Sequence, residues 1–131
     1  MSPRQRLEAL VLALAEDHGV PFIGTAGSGN ALGNADMRMT HDSTYPIRLG
    51  GECKDSPSGA RKNHTIPWVE WQKAESQIVR GGAVPVFFTG VQGKGEMAHM
   101  RLEDWMGLVG SLFQTQSALD DLEERMGSLT L

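Results

Sequence analysis

The chain is poor in cysteine and has no long apolar run, and each shortage excludes something. With one cysteine, Cys53, among 131 residues, no internal disulfide can form, which fits a reducing cytoplasm. No apolar run approaches the ~20 residues needed to span a bilayer, so no membrane partner is expected. The run Leu10 to Ala15 is short and leads into Glu16 and Asp17, so it does not read as a signal peptide. Soft metal ligands are equally scarce. Cys53 and His64 lack the companions of a four-ligand zinc site, and the four histidines are scattered. Cys53 is therefore expected to be a buried packing residue. Repeats, low-complexity segments and linkers are also missing, which points to one domain over 1–131 with 102–131 as a C-terminal helical extension.

What is present is an ordinary globular composition, 40% hydrophobic and 21% charged, with a formal net charge of −4. That charge argues against nucleic acid until its distribution is considered. Residues 102–131 hold six acids and one base, which leaves 10 acids and 11 bases in the first 101 residues. A local basic surface is compatible with that balance.

Ser2-Pro3 is a helix start, and Leu7, Leu10, Val11 and Leu14 then recur at helical spacing until Gly19. The pattern predicts a helix from Pro3 to His18 and a strand over Val20 to Ala26. A glycine-rich loop follows, Gly27-Ser28-Gly29 and onward, of a kind that lets backbone N–H groups approach phosphate, although its spacing is not a dinucleotide fingerprint. Alternation over Ala35 to Thr40 and the run Ile47 to Lys54 predict two strands of a hairpin. Gly50-Gly51 marks a bulge or a close approach by another backbone. A basic loop over 56–64 leads to a helix carrying Trp68, Trp71, Ala74 and Ile78 on one side and ending at Gly81-Gly82. Ala83 to Thr89 reads as a strand that Pro85 places at an edge or a bulge, and Glu96 to Arg101 as a last strand. Leu102 to Met126 gives one long helix or two shorter ones, because Gly107 and Gly110 weaken a single rod. The order predicts an α/β layer fold with a mixed central sheet of about five strands flanked by helices.

Chemistry-bearing residues gather on the hairpin. Successive strand residues face opposite ways, so Glu52 and Lys54 share a face and Cys53 points away. Asp36 on the neighbouring strand can meet Glu52 at one end. Two or three carboxylates plus a phosphate oxygen suit magnesium, a hard cation with oxygen ligands. Such a site activates water and offsets charge on a transferring phosphoryl group, with Lys54 to orient the water. Arg38, Arg61, Lys62 and Lys73 are candidate phosphate contacts, and Ser28 either contacts phosphate or turns its loop.

Asp36, the Glu52-x-Lys54 tripeptide on a hairpin and the preceding helix together resemble the PD-(D/E)xK nuclease superfamily, and within it the archaeal-type Holliday-junction resolvases and their phage relatives. The resemblance covers roughly residues 3–90. It implies a restriction-endonuclease-like core in which Glu8 is the glutamate of the first helix. Glu8, Asp36, Glu52 and the backbone carbonyl of Cys53 would hold Mg2+, with Mn2+ as a substitute. Lys54 would place the water and Gln72 support it, with Lys73 as second choice. The implied function is a metal-dependent endonuclease that cuts four-way junctions in DNA recombination, in a prokaryotic or phage-infected cytoplasm. Two strands must be cut symmetrically, so a homodimer is expected. The same chemistry on flaps, ends or duplex DNA stays open, as do a non-catalytic binding module on this fold and a small structural protein with an acidic C-terminal helix.

Overall fold

The computed structural model describes residues 2–25, 36–39, 47–54, 63–91 and 93–129. The expectations for Ser28 and its glycine-rich loop, Arg61 and Lys62 lie outside the described residues. The chain divides into two compact units, Met1–Met100 and Arg101–Leu131.

Helix α1 spans Pro3–Asp17. It starts where the Ser2 side chain accepts the Gln5 N–H at 3.1 Å and the Gln5 side chain accepts the Ser2 N–H at 2.8 Å. This reciprocal cap is worth about 1 kcal/mol. Its end is marked by Gly19, whose φ of +71° suits a residue without a Cβ. The buried stripe is Leu7, Val11 and Ala15, each one turn apart, while Leu10 and Leu14 of the expected stripe are exposed.

Five strands make one sheet in chain order: β1 (Phe22–Gly24), β2 (Met37–Met39), β3 (Leu49–Lys54), β4 (Val84–Val91) and β5 (Gly95–His99). Neighbours are antiparallel except β3 and β4, which run parallel because helix α2 (Trp68–Arg80) crosses between them. The α/β class and the mixed five-strand sheet flanked by helices are as the pattern predicted.

Among the described residues, two clusters of buried side chains stand out. Leu7 and Val11 of α1 pack with Met37 and Cys53, backed by Leu12, Phe22 and Phe88. Trp71 and Ala74 of α2 pack with Phe87, and the Trp71 and Phe87 rings stack at 4.1 Å. Gly50 and Gly51 sit where the layers are tightest. A Cβ at Gly51 would lie 2.7 Å from both Met37 Cγ and Phe88 Cε2, and one at Gly50 would lie 2.8 Å from Ile78 Cγ2. The close approach is thus made by side chains rather than by a backbone. The register with β4 steps residue by residue through both glycines, so β3 carries no bulge against it.

Pro85 needs a second correction. β4 lies between two neighbours and is not an edge strand. Its pairing with β5 begins only at Phe87, so at Pro85 the strand has one partner, β3, and the missing N–H costs no second ladder bond.

In the second unit, α3 is a single helix over Leu102–Leu129 with Gly107 and Gly110 inside it, and none of its residues is buried. No helix among the described residues is long and apolar enough to cross a membrane.

Candidate active site

The register of β2 on β3 pairs Met37 with Gly51 and Arg38 with Gly50. Continued by one residue, it sets Asp36 opposite Glu52. Asp36 is buried, and its Oδ2 accepts the Cys53 N–H at 2.7 Å. This bond fixes the carboxylate against β3 and satisfies a buried backbone donor. Glu52 is half-buried beside it, with Lys54 Nζ 3.8 Å from Glu52 Oε1 on the shared face of the strand. α1 reaches the same end. Arg4 Nε lies 3.2 Å from Glu8 Oε1, and Arg4 Nη2 donates to Asp36 Oδ1. The structure therefore brings together four of the expected residues, Glu8, Asp36, Glu52 and Lys54, with Arg4 bonded to Glu8 and Asp36.

Arg4 was not among the sequence candidates. The signal that could have found it is the spacing to Glu8, four residues on along a helix, which is an ion-pair spacing. Burial works against the Arg4 charge. Its hydrogen bond to Asp36 and the charges of Asp36, Glu52 and Glu8 outweigh that, and its pKa is raised. Glu8 is held above the usual carboxylate range by burial and then by the Asp36 charge, with Arg4 pulling it back. Burial and Asp36 likewise raise Glu52 against the pull of Lys54 and Arg4. Three carboxylates crowd one place, and one guanidinium offsets them.

Cys53 is buried, and burial pushes its thiol far up, so it is an inert packing group as expected. Its N–H goes to Asp36; the contribution expected of its carbonyl is a separate matter. Gln72 and Lys73 are exposed on α2, and neither is joined by a hydrogen bond or ion pair to the carboxylates. Arg38 is half-buried on β2, with Nη1 buried and without a hydrogen-bond partner among the described residues. That is a different setting from the solvated cation of a simple phosphate contact.

A second polar group lies one strand over. Thr89 is the register partner of Lys54 and is fully buried. Its hydroxyl stands 2.6 Å from His64 Nδ1 and 2.7 Å from His99 Nε2. A hydroxyl has one proton to donate, so it can give a bond to one ring only and must accept from the other. The chain of three thereby ties the tautomers of two histidines that look unrelated in sequence.

No group of three or more His, Cys, Asp and Glu side chains is arranged to hold a metal ion among the described residues. Yet the donor set at Asp36 consists of hard oxygens, and a cation, the Arg4 guanidinium, already lies among them. Carboxylate oxygens beside an exposed guanidinium are the donor type that a hard divalent cation takes. The chain matches no family model, no curated protein and no solved structure.

Proposed function

We propose that the chain is a divalent-metal-dependent nuclease that hydrolyses phosphodiester bonds in DNA, with the four-way junction as its substrate and a restriction-endonuclease-like core as its scaffold. The observation that carries this reading is the meeting of Glu8, Asp36, Glu52 and Lys54, from a helix and two strands, around the charge of Arg4. Asp36, Glu52 and Glu8, with the Cys53 carbonyl, are the groups that would hold Mg2+ or Mn2+. Bound there, the ion supplies positive charge to the phosphate and a more acidic water. Asp36 is kept in place by the Cys53 N–H, so its reach is set by the backbone of β3. Lys54, beside Glu52, can hold the attacking water by a hydrogen bond and offset charge that grows on the phosphate. Arg4, released from Asp36, is a long cation at the rim and would take a neighbouring phosphate.

The test is cleavage of a labelled four-way junction and a matched linear duplex by wild type and Asp36→Asn, with magnesium and with chelator. Symmetric, magnesium-dependent nicks in the junction alone, absent in the variant, are expected. Equal cutting of both substrates would keep the nuclease and discard the junction.

The Arg4–Asp36 bond also favours a second reading, a non-catalytic DNA- or protein-binding module in which the guanidinium closes the site for good. In that case wild type cuts neither substrate in magnesium or manganese, and Asp36→Asn leaves binding intact.

A further inference from the structure

Seven apolar residues of α3 share a heptad period, while Leu102, Met106, Val109 and Phe113 lie off it. Trp105, Leu112, Leu119 and Met126 stand seven residues apart. Three residues after each stand Leu108, Thr115, Leu122 and Leu129, again seven apart. These are the a and d positions of four successive heptads, and seven of the eight are apolar. A repeat of 3.5 residues held over this length is the mark of a seam between supercoiled helices.

The glycines and most of the acids keep to the opposite face. Gly107, Gly110 and Gly127 fall at the outward c, f and b positions, so the two glycines that argue against a single rod lie away from the seam. Four of the six acids, Glu103, Asp120, Asp121 and Glu124, also fall at f, b, c and f. The flanking e and g positions hold Glu123, Asp104 and Arg125 as their charges, so no wall of one sign borders the seam. Trp105, Leu112, Leu119, Leu122, Met126 and Leu129 are all exposed. Amphipathic helices owe most of their stability to what covers the apolar face.

We propose that α3 is an association helix whose heptad seam pairs with the α3 of a second copy of this chain. A second copy is the occupant that the pattern fits, since an a/d seam is complementary to itself. The area suffices: seven large side chains at about 100 Å² each give about 1,400 Å² over two helices, within the range of stable interfaces. The helix is also long enough, since 28 residues run for about 40 Å. The proposal stands on the seam and not on the nuclease reading. Where both hold, it joins two sites in one assembly for a substrate with two strands to cut.

The test is analytical ultracentrifugation of the full chain beside a Leu112→Lys, Leu119→Lys double variant and a Phe113→Lys control. Phe113 is apolar and exposed but lies at an outward b position. Wild type and Phe113→Lys should sediment at twice the 14.2 kDa chain mass. The double variant should sediment as a monomer, its dissociation constant raised at least about 100-fold. The melting temperature of wild type should rise with protein concentration, a readout that needs no variant. A monomeric wild type, or a double variant that stays dimeric, would overturn the proposal. A Phe113→Lys chain as monomeric as the double variant would replace the seam with general stickiness and overturn it equally.

Discussion

The two faces of β3 carry different kinds of constraint. On one face, Gly51 and Cys53 press against Met37, Leu7 and Val11, and what matters is volume. On the other, Gly50 meets Ile78, while Glu52 and Lys54 sit among charges, where what matters is the balance of Asp36, Glu8 and Arg4. The backbone joins the two, since the N–H of Cys53, whose side chain belongs to the packed face, anchors the carboxylate of Asp36. A packing defect on one face is therefore expected to misplace a charge on the other, while a charge change should leave the packing alone.

The largest effect expected is on the charged face. On the proposed nuclease reading, Asp36→Asn should lower junction cleavage by at least about 10²–10³-fold while far-UV circular dichroism stays unchanged. Gly51→Ala comes next and breaks the separation of the faces. Its Cβ meets two side chains at 2.7 Å, so urea unfolding should show a loss of about 1–3 kcal/mol together with weaker metal binding. Gly50→Ala, with a single contact under 3 Å, should cost less and give the smaller metal effect.

Arg4→Gln sharpens the comparison from the charged side. Removing the guanidinium bonded to Asp36 should tighten Mn2+ binding about tenfold by calorimetry, which corresponds to ~1.4 kcal/mol. The smallest change is expected from Glu52→Gln without metal. A carboxylate raised in the folded state binds its proton more tightly there than in the unfolded chain. Its stabilising share is present at acidic pH and is lost as pH climbs from the ordinary carboxylate value through the raised one. At pH 7 the ionised group works against folding, so the neutral isostere should melt slightly higher than wild type, and the gap should close near pH 4.

Much of the fold was legible because its signals are local. The Ser2-Pro3 start, the helix-ending Gly19, the alternation around Met37 and Met39 and the Gly81-Gly82 stop each act within a few residues. Pro85 and the glycine pair were read less well because their meaning depends on what stands beside them: the late start of β5 and the side chains of Met37, Phe88 and Ile78. At the site, Glu52 and Lys54 follow from strand parity and Asp36 from hairpin register. Arg4 and the His64–Thr89–His99 chain were missed. The first has a helix spacing that points to Glu8 but not to Asp36, and the second joins residues from a loop and two strands that share no pattern.

The parallel pairing of β3 with β4 also bears on the order in which the molecule is made. The β2–β3 pairing can close early, since Met37 and Gly51 stand 14 residues apart in the chain, but Leu49 must wait for Val84, 35 residues on, and the helix between them. Asp36 and Glu52 thus first come together in water, where their repulsion is weak. The burial that makes it strong arrives when β4 docks. Charge at Glu52 then opposes the docking step, and the folding rate is expected to fall as pH rises through the Glu52 titration, which stopped-flow refolding at several pH values checks.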